Sequence, residues 1–192
     1  MKNRLQAAGG KDYRAMIEEK LLKQRTLLIY GGINQEMARE VTEKLLVLSA
    51  ESKEDIKVYI NSQGGHVESG DTIFDFIGFC SAPVKVIGTG WVASAGALIY
   101  AAPPVENRLA LPNTRFMIHQ PLGGMSGSAS DLAIEAKEII KMRQRLNDIF
   151  ARQTGQPLDK IAKDSDRNFW MSAPQAVEYG LVGRIIQSAK EI

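Results

Sequence analysis

The sequence predicts a single α/β domain of parallel strands joined by helical crossovers, and three observations predict it. Between Ile56 and Tyr100, runs rich in β-branched residues alternate twice with helical patterns. Each run breaks at glycine before its helix begins, first at Gly64-Gly65 and then near Gly90. No linker divides the 192 residues, a length suited to one domain with a substantial core.

Taken in order, residues 1–11 end in a small-residue stretch, Ala7-Ala8-Gly9-Gly10, have little periodicity and read as a mobile segment; the domain is expected over 12–192. Residues 12–25 look helical and lead into a strand at Leu27–Tyr30. Asn34 can cap a helix through Ala50, because Met37, Val41, Leu45 and Leu48 recur at helical spacing. Ile56–Ile60 and Val84–Gly88 are strand-like, followed by helices to Phe79 and over Ala95–Tyr100. Short strands fit Arg108–Leu111 and Arg115–Ile118. A glycine- and serine-rich segment then precedes a helix from about Ser130 to Arg152, whose length suits packing on another subunit or on its own sheet. Ser172-Ala173-Pro174-Gln175 is a capping box opening a short helix that Gly180 closes, and Arg184–Ile186 forms the last strand.

Composition narrows the function. A net charge of +2 with interspersed signs gives no basic footprint for nucleic acid. One cysteine, Cys80, sits in an apolar run and reads as a structural thiol in a reducing compartment. With two histidines and one cysteine, no multi-histidine or zinc cluster is expected. Neither GxxxxGK[ST] nor a GxGxxG after a strand is present, so no nucleotide site is expected. No apolar run reaches a membrane-spanning length, and the expected location is the cytoplasm.

The chemistry concentrates at a few residues. Ser94 lies between a strand and a helix start, flanked by Ala93, Ala95, Gly96 and Ala97. Such a turn can expose a hydroxyl beside unpaired backbone N–H groups, as a serine nucleophile requires, although most serines before a helix are caps. Gly65 ends the neighbouring strand and has no side chain to block a reactant, so its N–H can be a second oxyanion donor. His119 ends a strand and is placed to accept a serine proton, with His66 as rival base or cleft residue.

From about Leu27 to Ile186 the chain resembles the ClpP family, the proteolytic subunits of Clp proteases. The resemblance lies in Tyr59–Gly65 (YINSQGG), Ala93–Ala97 (ASAGA), Leu111–Gly124 (LPNTRFMIHQPLGG) and Ser172–Val182 (SAPQAVEYGLV). It implies a crotonase-like ββα superhelix, with Ser94 as nucleophile, His119 as base and the amides of Gly65 and Ala95 as oxyanion hole. It also implies a handle over Gly123–Arg152 that interlocks two seven-membered rings. Asp166-Arg167 matches a pair used in ring–ring contact. Unfolded polypeptides would be threaded in by a partner AAA+ ATPase, which consumes the ATP; this chain needs no cofactor and no metal.

Three departures stand out. Asp166-Arg167 is followed by Asn168 where the family has the aspartate that completes its triad. Gln63 replaces the usual proline and Ala95 the usual methionine, and the N-terminus lacks the family's axial-loop pattern. An amide at 168 can orient His119 but carries no charge to offset an imidazolium, which predicts a weak or conditional peptidase. Two other readings compete: a regulatory ring subunit co-assembled with an active paralogue, and acyl-CoA chemistry on the same superfamily fold. The second leaves Ser94 and His119 without a role, and no lysine is tied to Ser94 for a Ser–Lys dyad.

Overall fold

The computed structural model describes residues 2–122 and 126–192, with side chains from Tyr13 onward. Helix α1 spans Lys2–Lys23 and so begins ten residues before the helix expected from residue 12. The Gly9-Gly10 pair costs about 1 kcal/mol per glycine relative to alanine, but Leu5, Gln6, Ala7 and Ala8 before it are good helix formers. Strand β1 follows at Thr26–Ile33 and α2 at Gln35–Glu51. Asn34 caps α2, its Oδ1 accepting from the Met37 N–H at 2.9 Å, a contact worth about 1 kcal/mol. The central unit is β2 (Ile56–Gly65), α3 (Val67–Phe79), β3 (Val84–Ala93) and α4 (Ala95–Tyr100). A 3₁₀ turn at Val105–Asn107 leads to β4 (Arg108–Ala110) and β5 (Arg115–Ile118).

The long helix α5 runs Ala129–Thr154, opened by a Ser128–Asp131 capping box and closed by Gly155 in the left-handed region. Gly123 to Met125, at the start of the expected handle, lie outside the described residues. Then come α6 (Leu158–Asp164), β6 (Phe169–Ser172), α7 (Ala173–Glu178) and β7 (Arg184–Ile185). Of these, α6 and β6 are absent from the sequence reading: α6 has no side-chain cap of the kind that marked α7, and β6 runs straight into that capping box without a glycine break.

The sheet order is β1-β2-β3-β4-β7, all parallel, so each neighbour is reached by a crossover. One edge forks at β3. Val86–Gly88 pair with β4, whereas Trp91–Ala93 pair with β5, which pairs antiparallel with β6. The fork needs a bend. Between the β2 partners Ile60↔Gly88 and Ser62↔Val92 the register slips, and Gly90 sits there at φ +61°, where a Cβ would meet the Asn61 amide at 2.9 Å. The core of Ile29, Leu45, Val58, Ile60, Ile73, Val86, Leu98 and Phe116 joins the sheet to α2, α3 and α4.

Arg108, only 1% exposed, ties β4 to the base of α5 by donating to the Pro103 and Gln153 carbonyls, each at 2.7 Å. Desolvation lowers its pKa to about 10. Only the base of α5 packs on the domain, through Leu146, Ile149 and Phe150. Its first turns project, leaving Ile134 58% and Ile140 67% exposed. Of the two packings open for this helix, its own domain takes only the last turns, and there through helices rather than the sheet.

Candidate active site

Ser94 occupies the corner where β3 turns into α4. Its N–H donates to the Met117 carbonyl at 2.9 Å, which docks the corner on the end of β5. Its φ is +57°, and among the described residues only Arg25 shares a positive φ without being glycine. Such a conformation costs about 1–3 kcal/mol and persists because the surroundings impose it. Ser94 makes no side-chain cap to α4, which settles one alternative left by the sequence. Its Oγ lies instead 2.8 Å from His119 Nε2.

Small neighbours make the corner possible. A Cβ on Gly96 would stand 3.2 Å from Ser62, and one on Gly70 would stand 3.1 Å from the Ala95 methyl, so α3 and α4 cross at close range. Gly64, at φ +96°, has no room for a side chain: its Cβ would fall 2.5 Å from the Ser94 Cβ. Gly65, at φ +154°, lies against the Ile33 carbonyl, and the amide of Ala95 opens α4 without an intrahelical partner. Gln63, in place of the family's proline, sets its amide within 3.2 Å of both Gly31 O and Gly32 N.

His119 follows β5 directly, and the next residue anchors it: the Gln120 side chain donates to the Asp166 carbonyl at 2.7 Å. Because Ile118 pairs with Phe169, the antiparallel ladder brings the residues just beyond, His119 and Asn168, face to face. Asn168 Oδ1 stands 3.0 Å from His119 Nδ1. With the carbonyl end facing the ring, Nδ1 holds the proton and Nε2 is free to accept from Ser94.

His66 plays a different part. Its Nδ1 contacts Ser69 Oγ at 2.9 Å and accepts from the Ser69 N–H, capping α3, while Nε2 lies 3.2 Å from Glu68. The nearby carboxylates are also engaged elsewhere. Asp164 accepts from the Tyr179 hydroxyl at 2.8 Å, and Asp166 pairs with Arg143 at 3.1 Å and with the exposed Arg167 at 3.5 Å. Beside Ser94 and His119, the side chains of Val67, Leu98, Pro121, Leu146 and Phe150 form an apolar recess. The sequence reading missed this recess, since its residues are scattered over 84 positions with no common motif.

The family model described as Clp protease matches residues 9–189. The ATP-dependent Clp protease proteolytic subunit 2 of Gluconobacter oxydans is 62% identical, covering 92% of this chain and 80% of that protein. Proteolytic subunit 3 of Rhizobium etli is 60% identical, over 91% of this chain and 90% of its own length. Among solved structures, ClpP1 from Listeria monocytogenes superimposes with a TM-score of 0.83 at 53% identity, covering 91% of this chain and 98% of that one. An Asn-to-Asp variant of the same protein gives a TM-score of 0.85 over the same coverage.

Proposed function

Since this chain belongs to the Clp protease family, we propose that it is a serine-type endopeptidase subunit using Ser94, His119 and Asn168. The observation that supports this most directly is the continuous hydrogen-bonded chain from Ser94 Oγ through His119 to Asn168 Oδ1. In this reading Ser94 Oγ attacks the scissile carbonyl while His119 Nε2 takes its proton. The oxyanion is met by the N–H groups of Gly65 and Ala95. His119 returns the proton to the leaving amine, and water releases the acyl group from Ser94 by the same route.

The assembly belongs to the same proposal. Two heptameric rings interlock through the projecting part of α5, with Asp166 and Arg167 at the ring–ring contact. Fourteen copies of a 21.1 kDa chain come to about 295 kDa. A partner AAA+ ATPase unfolds and delivers substrates in the cytoplasm and consumes the ATP, so no cofactor is needed here. Among the described residues, no helix is long and apolar enough to cross a membrane.

The experiment that tests this reading is labelling of the isolated chain with a fluorophosphonate, with the adduct mapped by mass spectrometry. An adduct on Ser94 is expected; no labelling of a fully assembled protein would overturn independent activity. That result would favour the second reading, a regulatory ring subunit beside an active paralogue, which Asn168 itself supports.

Asn168 also sets the activity level. An amide holds the histidine but leaves the imidazolium uncompensated, so Asn168→Asp should raise turnover of a short fluorogenic peptide about tenfold, or about 1.4 kcal/mol. The gain should appear in kcat rather than KM, because the charge matters only once the imidazolium forms. Asp164 and Asp166 are tied to Tyr179, Lys160 and Arg143, and so leave that place open. Unchanged turnover in a correctly assembled variant would mean that another group already serves His119, and lower turnover would show that the site is tuned to asparagine.

A further inference from the structure

We propose that Trp91, Arg115 and Trp170 form a clamp that holds Asn168 in register with His119, acting as positioning residues for the reaction proposed above and resting on that reading. The three strands β3, β5 and β6 deliver Ser94, His119 and Asn168 respectively. β5 pairs with both of the others, but β3 and β6 share no hydrogen bonds. β6 is therefore a four-residue edge held on one side only.

The side chains supply the missing link. Trp91 pairs with Arg115, and Trp170 with Met117, so period-two alternation puts Trp91, Arg115 and Trp170 on one face. The indoles of Trp91 and Trp170 stack across β5 with centroids 6.5 Å apart and planes 7° from parallel. The Arg115 guanidinium lies 4.3 Å from the Trp170 centroid, in cation–π contact. This bridge ends three residues from Ser94 on β3 and two residues from Asn168 on β6.

An asparagine needs such a clamp more than an aspartate does. A carboxylate only accepts hydrogen bonds, and the imidazolium charge draws it into place. An amide has two ends. Turned round, its NH₂ would donate to His119 Nδ1, move the ring proton to Nε2 and remove the base. The neutral Asn168 contact with His119 Nδ1, at 3.0 Å, therefore depends on the spacing of β6 from β5, and the stacked tryptophans fix that spacing.

The test uses the assembled protein with ¹⁵N-labelled histidine, read by solid-state NMR. Only His66 and His119 contribute signals, and His66 serves as internal reference. Trp170→Leu should convert a large part of His119 from the Nδ1–H to the Nε2–H tautomer. It should lower kcat about tenfold, about 1.4 kcal/mol, with KM within twofold and assembly mass unchanged. Trp170→Phe, which keeps an aromatic face, should restore both readouts. In the Asn168→Asp background the kcat cost of Trp170→Leu should shrink below threefold. If Trp170→Leu fails to assemble, Trp91→Leu removes the same stack from the β3 side and should give the same tautomer shift. An unchanged tautomer population in the leucine variants overturns the clamp, whatever the activity. A tautomer shift in a protein whose Ser94 never labels would uphold the clamp and overturn the peptidase reading instead.

Discussion

Ser94→Ala should abolish fluorophosphonate labelling and lower peptide turnover by about 10³-fold or more, with no change in assembly mass. In the proposed mechanism the hydroxyl forms the acyl bond, and no neighbouring group replaces it. Assembly should be indifferent, because Oγ contacts His119 and makes no helix cap. The backbone strain at φ +57° stays with alanine, so stability should change little. His119→Ala should lose a comparable amount, and the double variant should be no worse than either single one, since nucleophile and base act as a unit. His66→Ala is the contrast. It removes the cap of α3, at about 1 kcal/mol of stability, and should leave kcat within a fewfold. Labelling that persists in Ser94→Ala, or normal turnover in His119→Ala, would refute the assignment.

Gly64→Ala should cost about a hundredfold in kcat while the protein still assembles. The added methyl would sit 2.5 Å from the Ser94 Cβ, 2.9 Å from the Ala93 carbonyl and 3.0 Å from the Ser94 Oγ, so Ser94 must move. A shift of about 1 Å at a reacting atom costs about 10²-fold. Alanine at φ +96° adds about 1–3 kcal/mol of backbone strain, less than typical total stability. Gly65→Ala should behave differently. Its methyl would fall within 3 Å of the Ile33 backbone, between β1 and β2, so loss of folding rather than selective loss of turnover is expected. Turnover of Gly64→Ala within threefold of the parent, measured on a fluorogenic peptide, would show that the corner relaxes without consequence.

Much of the molecule was readable along the chain. Asn34, with helical spacing behind it, announced α2, and the Ser172–Gln175 box announced α7. The glycine breaks after the β-branched runs marked where β2 and β3 end. α6 and β6 escaped, and with them the reason why Asn168 lies near His119. The resemblance named Asn168 by position, but nothing local to residues 164–172 says that they return to pair with Arg115–Ile118.

The division follows from the range of the forces. Caps, turns and amphipathic periods are set within a few residues, so the sequence by itself determined the α/β class, most elements and the small-residue corner at Ser94. The juxtaposition of groups 25 and 49 residues apart was decided by the tertiary structure. Only β5, pairing parallel to β3 and antiparallel to β6, brings the three side chains together. That pairing also separates the two histidines: His119, the candidate base at the end of β5, meets Ser94, and its rival His66, after Gly65, caps a helix. The tryptophan stack belongs to the same class, since two indoles 79 positions apart meet only when both strands dock on β5.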